Sequence, residues 1–160
     1  MNELEKLKQQ LEEISKKIAE LEKSKKEIWK PEIGEDYWLI TDAGTVGGAC
    51  YAGDDFDNEV CDCGNFYKTE AEAEHQANVQ KYTNLYRKYV EEHSEPIDWE
   101  CDAQAKYLSY YDYTNNQIYF DRAYSCRQQG TIYASSEGVL EKAINFVGEE
   151  NAIKYVLGVK

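Results

Sequence analysis

The chain has 160 residues, 31% of them charged, and a formal net charge of −13, a size that suits one modest domain with an appendage. That acidity repels nucleic-acid phosphates and argues against binding DNA or RNA. No run approaches the ~18 consecutive apolar residues of a membrane span, and the N-terminus lacks the apolar core of a signal peptide, so the expected location is the cytosol. In a reducing compartment the five cysteines, an odd number, speak against a disulfide framework.

Residues 1–28 carry seven Lys and seven Glu, so the whole negative excess lies in residues 29–160. In this first segment Leu4, Leu11, Ile18 and Lys25 fall at heptad position a, and Leu7, Ile14, Leu21 and Ile28 at position d. Almost four heptads with a narrow apolar seam predict a coiled-coil helix. Leu4, Leu7, Leu11, Ile14, Ile18, Leu21 and Ile28 are its oligomerisation residues. A lone helix of this length is marginal in water and needs a partner, either its own body or further copies. The narrow seam with charges elsewhere favours a homo-oligomer. Pro31 and Gly34 end the helix, making residues 29–35 a joint.

Residues 36–160 read as an acidic α+β body of two similar strand-strand-strand-helix units, 36–93 and 105–158. In the first unit Asp36–Gly53 predicts a hairpin turning at Asp42–Gly44. An acidic loop follows, then "GNFY" as a third strand, then a helix to about Glu92 capped by Thr69 with Glu72 as reciprocal partner. In the second unit two strands turn about Asn115–Asn116 and "GTIYA" is the third strand. Ser135 or Ser136 caps a helix that Gly148 ends, and "EENAIKYVLG" adds a short terminal one. The glycine-to-helix passages beginning at Gly64 and Gly130 repeat one pattern, which builds one body from two related halves. Fourteen tyrosines suit sheet packing and protein interfaces; a base-stacking platform would conflict with the body's charge.

No catalytic motif is present: GxSxG, a P-loop and HExxH are all missing, and no carboxylate pair stands in an apolar context. The chain therefore reads as a non-enzyme. Asp54, Asp55, Asp57, Glu59 and Asp62 do not fit a calcium loop, since the twelfth position from Asp55 is Phe66 and the sixth is not glycine. They read instead as a partner-binding run, with Glu70, Glu72 and Glu74, and with Glu91, Glu92, Glu95, Asp98, Glu100 and Asp102. Such carboxylates suit a basic protein surface. No cofactor is implied, apart from a structural zinc that Cys50, Cys61 and Cys63 with Cys126 or His75 would hold tetrahedrally.

Three stretches resemble a family of small phage and prophage proteins of Gram-positive bacteria. Trp29, Lys30, Pro31, Gly34, Glu35 and Tyr37 match its first element. Gly64, Asn65, Thr69, Glu70, Ala73 and Glu74 match the second with a one-residue offset. Gly148, Ile153, Tyr155, Gly158 and Val159 match the third. The cysteines are not part of that pattern. The resemblance implies an accessory protein acting in the bacterial host cytosol, an anti-CRISPR or other anti-defence inhibitor. The alternative is an oligomeric structural or assembly accessory of the phage acting through its coiled coil.

Overall fold

The leucines and isoleucines of the first segment lie on a helix, α1, spanning Glu3–Ser24, except Ile28, which the heptad pattern placed on the seam but which stands outside the helix, 80% exposed, just before the helix-breaking Pro31. The computed structural model describes residues 3–24 and 28–160; Lys25 and the side chains of Leu4 and Leu21 lie outside them. Residues Met1–Pro31 form one unit and Glu32–Lys160 another. On α1 the side chains of Leu7, Leu11, Ile14 and Ile18 are exposed, and Lys16 pairs with Glu12 one turn away at 3.3 Å.

The second unit is α+β, with two separate two-stranded antiparallel sheets. β1 (Asp36–Ile40) pairs with β2 (Val46–Cys50), in register from Asp36 opposite Cys50 to Ile40 opposite Val46. Gly44, at φ +77°, supplies the left-handed turn residue that the sequence anticipates at Asp42–Gly44. β3 (Lys106–Asp112) pairs with β4 (Gln117–Ala123). Their turn is held by Asp112, which accepts from the Thr114 amide and the Asn115 side chain, both at 2.8 Å.

Where the sequence suggests an acidic loop, the chain forms a helix, α2 (Asp55–Asp62). Asp54 caps it by accepting the Asp57 amide at 2.9 Å, and Asp55 and Asp57 in the first turn face the positive end of the helix dipole. At the other end the Gly64 amide bonds the Cys61 carbonyl and the Asn65 amide bonds that of Val60. This is a Schellman stop with Gly64 at φ +74°.

α3 (Glu70–His93) starts at the expected capping box. Thr69 Oγ1 accepts the Glu72 amide and Glu72 Oε2 accepts the Thr69 amide, both at 3.3 Å. α4 (Glu137–Val147) starts at Ser136, whose side chain makes no cap bond; the neighbouring Ser135 hydroxyl accepts the Glu95 amide instead. A three-residue α5 (Glu149–Asn151) and a π-helical turn, Ala152–Val156, complete the chain's regular structure.

The third strand of each half shrinks to one isolated bridge, Trp38 with Tyr67 and Tyr107 with Ala134. Counting back from the helix caps Thr69 and Ser136, these bridge residues correspond. One more residue therefore separates Gly130 from Ala134 than separates Gly64 from Tyr67. α3 packs on β1 and β2 and also on α4 and the π turn, so the two halves share it. The larger core gathers Tyr86 and Val90 of α3, Leu140, Ala143, Ile144 and Val147 of α4, Ala134 and Ala152. Burying a side chain the size of Leu140 contributes about 1.5–3 kcal/mol.

Candidate functional site

On α2, residues 55, 59 and 62 recur at helical spacing, and so do 56, 60 and 63. One stripe is therefore Asp55, Glu59 and Asp62, all exposed. Beside it Phe56, Val60 and Cys63 line a groove of about 350 Å³ with Leu39, Ile40, Asp42 and Glu59. Phe56 is 56% exposed, so its ring forms an open side of the groove. An acidic stripe beside an apolar groove can seat a partner that carries basic side chains around an apolar anchor.

A buried polar anchor holds α2 in place. Asp57 is 3% exposed. Its Oδ1 accepts from the Tyr37 hydroxyl at 2.8 Å and its Oδ2 from the Ala52 and Gly53 amides at 2.6 and 3.0 Å. The Tyr37 hydrogen bond, helped by the two amides, holds the Asp57 carboxyl below its ordinary range against the opposing effect of burial. Burial first, and then the Asp57 bond and charge, push the Tyr37 phenol well above its ordinary value. Asp57 thus departs from the partner-facing role expected of it: its oxygens are spent on tying the helix to β1 and to the chain after β2.

The other acidic positions divide in the same way. Asp54 and Glu72 cap α2 and α3, and Glu72 also accepts the Lys68 amide at 3.2 Å. Asp98 accepts the Glu100 amide at 2.9 Å. Glu70, Glu74, Glu91, Glu92, Glu95, Glu100 and Asp102 are exposed, and among the described residues none of the carboxylates in these runs is in an ion pair. They do not form one patch, because Glu70 and Glu91 sit about 30 Å apart along α3. Glu91 also lines a 160 Å³ pocket with Trp99 and with Arg87 and Arg127, two of the chain's three arginines.

No disulfide links the cysteines. Cys50, Cys63 and Cys126 are exposed and Cys61 half-buried, and Cys63 Sγ donates to the Val60 carbonyl at 3.3 Å. Among the described residues no three His, Cys, Asp or Glu side chains converge on a point where an ion would sit, so Cys50, Cys61, Cys63 and Cys126 are not brought together as the spacing suggested. Comparison with known proteins gave no matching family model, no significantly similar characterised protein and no significantly similar solved structure.

Sequence reasoning missed the groove, and the Asp57 anchor with it. The signal was there. Asp54 three residues before Asp57 is a cap pattern, and Phe56 and Val60 four apart make an apolar helical pair. Also missed was Lys106, 0% exposed, whose Nζ donates to the Cys101 and Tyr124 carbonyls at 2.7 and 2.6 Å. Its ammonium lies 5.5 Å from the centre of the Trp99 ring, and nothing local in the sequence marks it.

Proposed function

We propose that this chain is a non-enzymatic inhibitor of phage type that binds a basic surface on a host defence protein, a CRISPR nuclease being the leading case. The observation that carries this reading is α2: exposed Asp55, Glu59 and Asp62 without ion-pair partners among the described residues, beside an exposed Phe56 and its groove. A groove that a nuclease keeps positive for nucleic acid attracts such carboxylates, and Phe56 supplies an apolar anchor that electrostatics alone lacks. The resemblance of the Trp29–Tyr37, Gly64–Glu74 and Gly148–Val159 elements to phage accessory proteins supplies the setting, the bacterial host cytosol. No direct binding to nucleic acid and no cofactor belong to this reading; a structural zinc does not contribute to it.

The test is inhibition of DNA cleavage by a panel of purified CRISPR nuclease–guide complexes, with affinity measured at two salt concentrations. Binding should weaken as salt rises, and the combined Asp55→Asn, Glu59→Gln, Asp62→Asn variant should bind at least tenfold more weakly with its fold intact. Phe56→Ala should do the same with little change in salt dependence. If no complex is bound or inhibited at micromolar concentration, the reading fails.

A second reading rests on α1. Its exposed Leu7, Leu11, Ile14 and Ile18 suit a homo-oligomeric coiled coil, and an assembly accessory of a phage would act through that element. Removing residues 1–28 separates the two. An inhibitor body keeps its target contacts and loses only avidity, whereas an assembly factor loses its activity outright.

A further inference from the structure

The two halves of the body finish the outer edge of their first strand differently. In the first half, Trp38 exchanges two backbone hydrogen bonds with Tyr67, at 2.9 and 2.8 Å. Two residues along the strand the side-chain amide of Asn65 takes over. It accepts the Ile40 amide on Oδ1 at 3.0 Å and donates Nδ2 to the Ile40 carbonyl at 2.7 Å. A primary amide stands in for one further strand residue, and the edge is sealed.

In the second half, Tyr107 makes the equivalent exchange with Ala134, both bonds at 2.9 Å. Backbone groups alternate in direction along an antiparallel strand, so those of Ser109 and Tyr111 point the same way as those of Tyr107, away from β4. The residue in the place of Asn65 is Ile132, which has no amide to offer. The segment from Gly130 to Ala134 carries one residue more than its counterpart and, among the described residues, exchanges no further backbone bond with β3 beyond Ala134. Among the described residues the outward backbone groups of Ser109 and Tyr111 meet no partner, although the Ser109 hydroxyl is bonded to that of Tyr86 at 3.1 Å.

A cleft of about 360 Å³ is lined by Ser109 and Tyr111 of β3, by Thr131 and Ile132 of this segment, and by Tyr86 and Leu157. Its lining contains no charged side chain, in a chain where 31% of residues are charged. An open row of donors and acceptors in a neutral, tyrosine-rich cleft is a template for another strand. The sealed half shows which chemistry satisfies it: an uncharged group presenting a carbonyl and an N–H side by side.

We propose that this cleft binds an extended, uncharged peptide segment of a partner protein, whose backbone amides pair with Ser109 and Tyr111 as the Asn65 amide pairs with Ile40. Ser109 to Tyr111 spans about 7 Å, enough for two or three residues of such a segment. The proposal stands apart from the acidic surface of α2 and does not depend on it.

The test uses the full chain, labelled with ¹⁵N, and the blocked peptide acetyl-Thr-Asn-Thr-Asn-Thr-amide. At millimolar peptide the amide signals of Ser109 and Tyr111 should shift, and their hydrogen exchange should slow at least tenfold at saturation. The same peptide with N-methylated backbone should have no effect. Ile132→Asn should seal the edge from within, slowing exchange at Ser109 without peptide and weakening peptide binding at least tenfold. The N-methyl comparison stands even if that variant folds poorly. Absence of shifts at Ser109 and Tyr111, equal binding of the N-methylated peptide, or a response to uridine in place of peptide overturns the proposal.

Discussion

Tyr37 and Asp57 bury one negative charge on three donors, and their titration sets a pH window. The Asp57 carboxyl is lowered in the folded chain, so its contribution is complete above the unfolded value of about 4 and is lost as pH falls through the folded one. The Tyr37 phenol is raised, so its contribution is complete below about pH 10 and is lost as pH rises through the folded value. Asp57→Asn should lower the thermal midpoint by several degrees at neutral pH and flatten the acid limb of a stability–pH profile. An unchanged acid limb would locate acid sensitivity elsewhere. Lys106 poses a different case, because its ammonium satisfies two carbonyls from separate loops. Lys106→Met keeps the stem but strands both acceptors, and should cost about 2 kcal/mol or more in urea unfolding. Neither burial was legible in the sequence: the Asp54–Asp57 spacing marks a helix start, but an Asp in an acidic run and a Lys at the head of a strand look like solvated surface until the tertiary fold closes over them.

Helix boundaries were the most legible feature of the body, because their signals are local. Thr69 with Glu72 announces α3, and Thr69→Ala should cost about 1 kcal/mol. Ser136 heads α4 without a side-chain bond, so Ser136→Ala should cost less than about 0.5 kcal/mol; equal losses in chemical denaturation would mean that the two caps work alike. α2 was misread because acidic residues at a helix start look the same, in sequence, as acidic residues in a loop. The third strands were overread for a related reason: "GNFY" and "GTIYA" have strand composition, but in both halves the backbone pairing ends after one bridge, and in the first the Asn65 side chain replaces it. For α1 the heptad pattern makes a prediction at its own scale. If the seam joins copies, Leu11→Glu should convert the oligomer to a monomer in sedimentation without altering the circular dichroism signature of the body's sheets.

At the scale of the whole molecule, charge and hydropathy divide along the chain as the units do. Residues 1–28 balance their charges while residues 29–160 hold the excess, and the two units meet between Pro31 and Glu32. The α+β class of the body was legible too, since periodicity and turn residues report it directly. Assembly of the carboxylates was not. Cap spacing marks Glu72 and Asp54 locally, but only tertiary structure sorts Asp57, buried within the fold, from Asp55, Glu59 and Asp62, exposed beside Phe56. Leu140→Ala, at the centre of the larger core, should lower stability by about 2–5 kcal/mol and should loosen α3 for both halves at once, because α3 packs on both. Hydrogen exchange that quickens around α4 alone would show the halves to be energetically separate.

Chain length can therefore do in this body what side-chain chemistry usually does. The segments after Gly64 and Gly130 differ by a single position, and loss of one codon between Thr131 and Tyr133 would give the second half the spacing of the first. Recognition at that edge would then be tuned by insertion and deletion, in whole steps, while the buried layer beneath it stays unaltered.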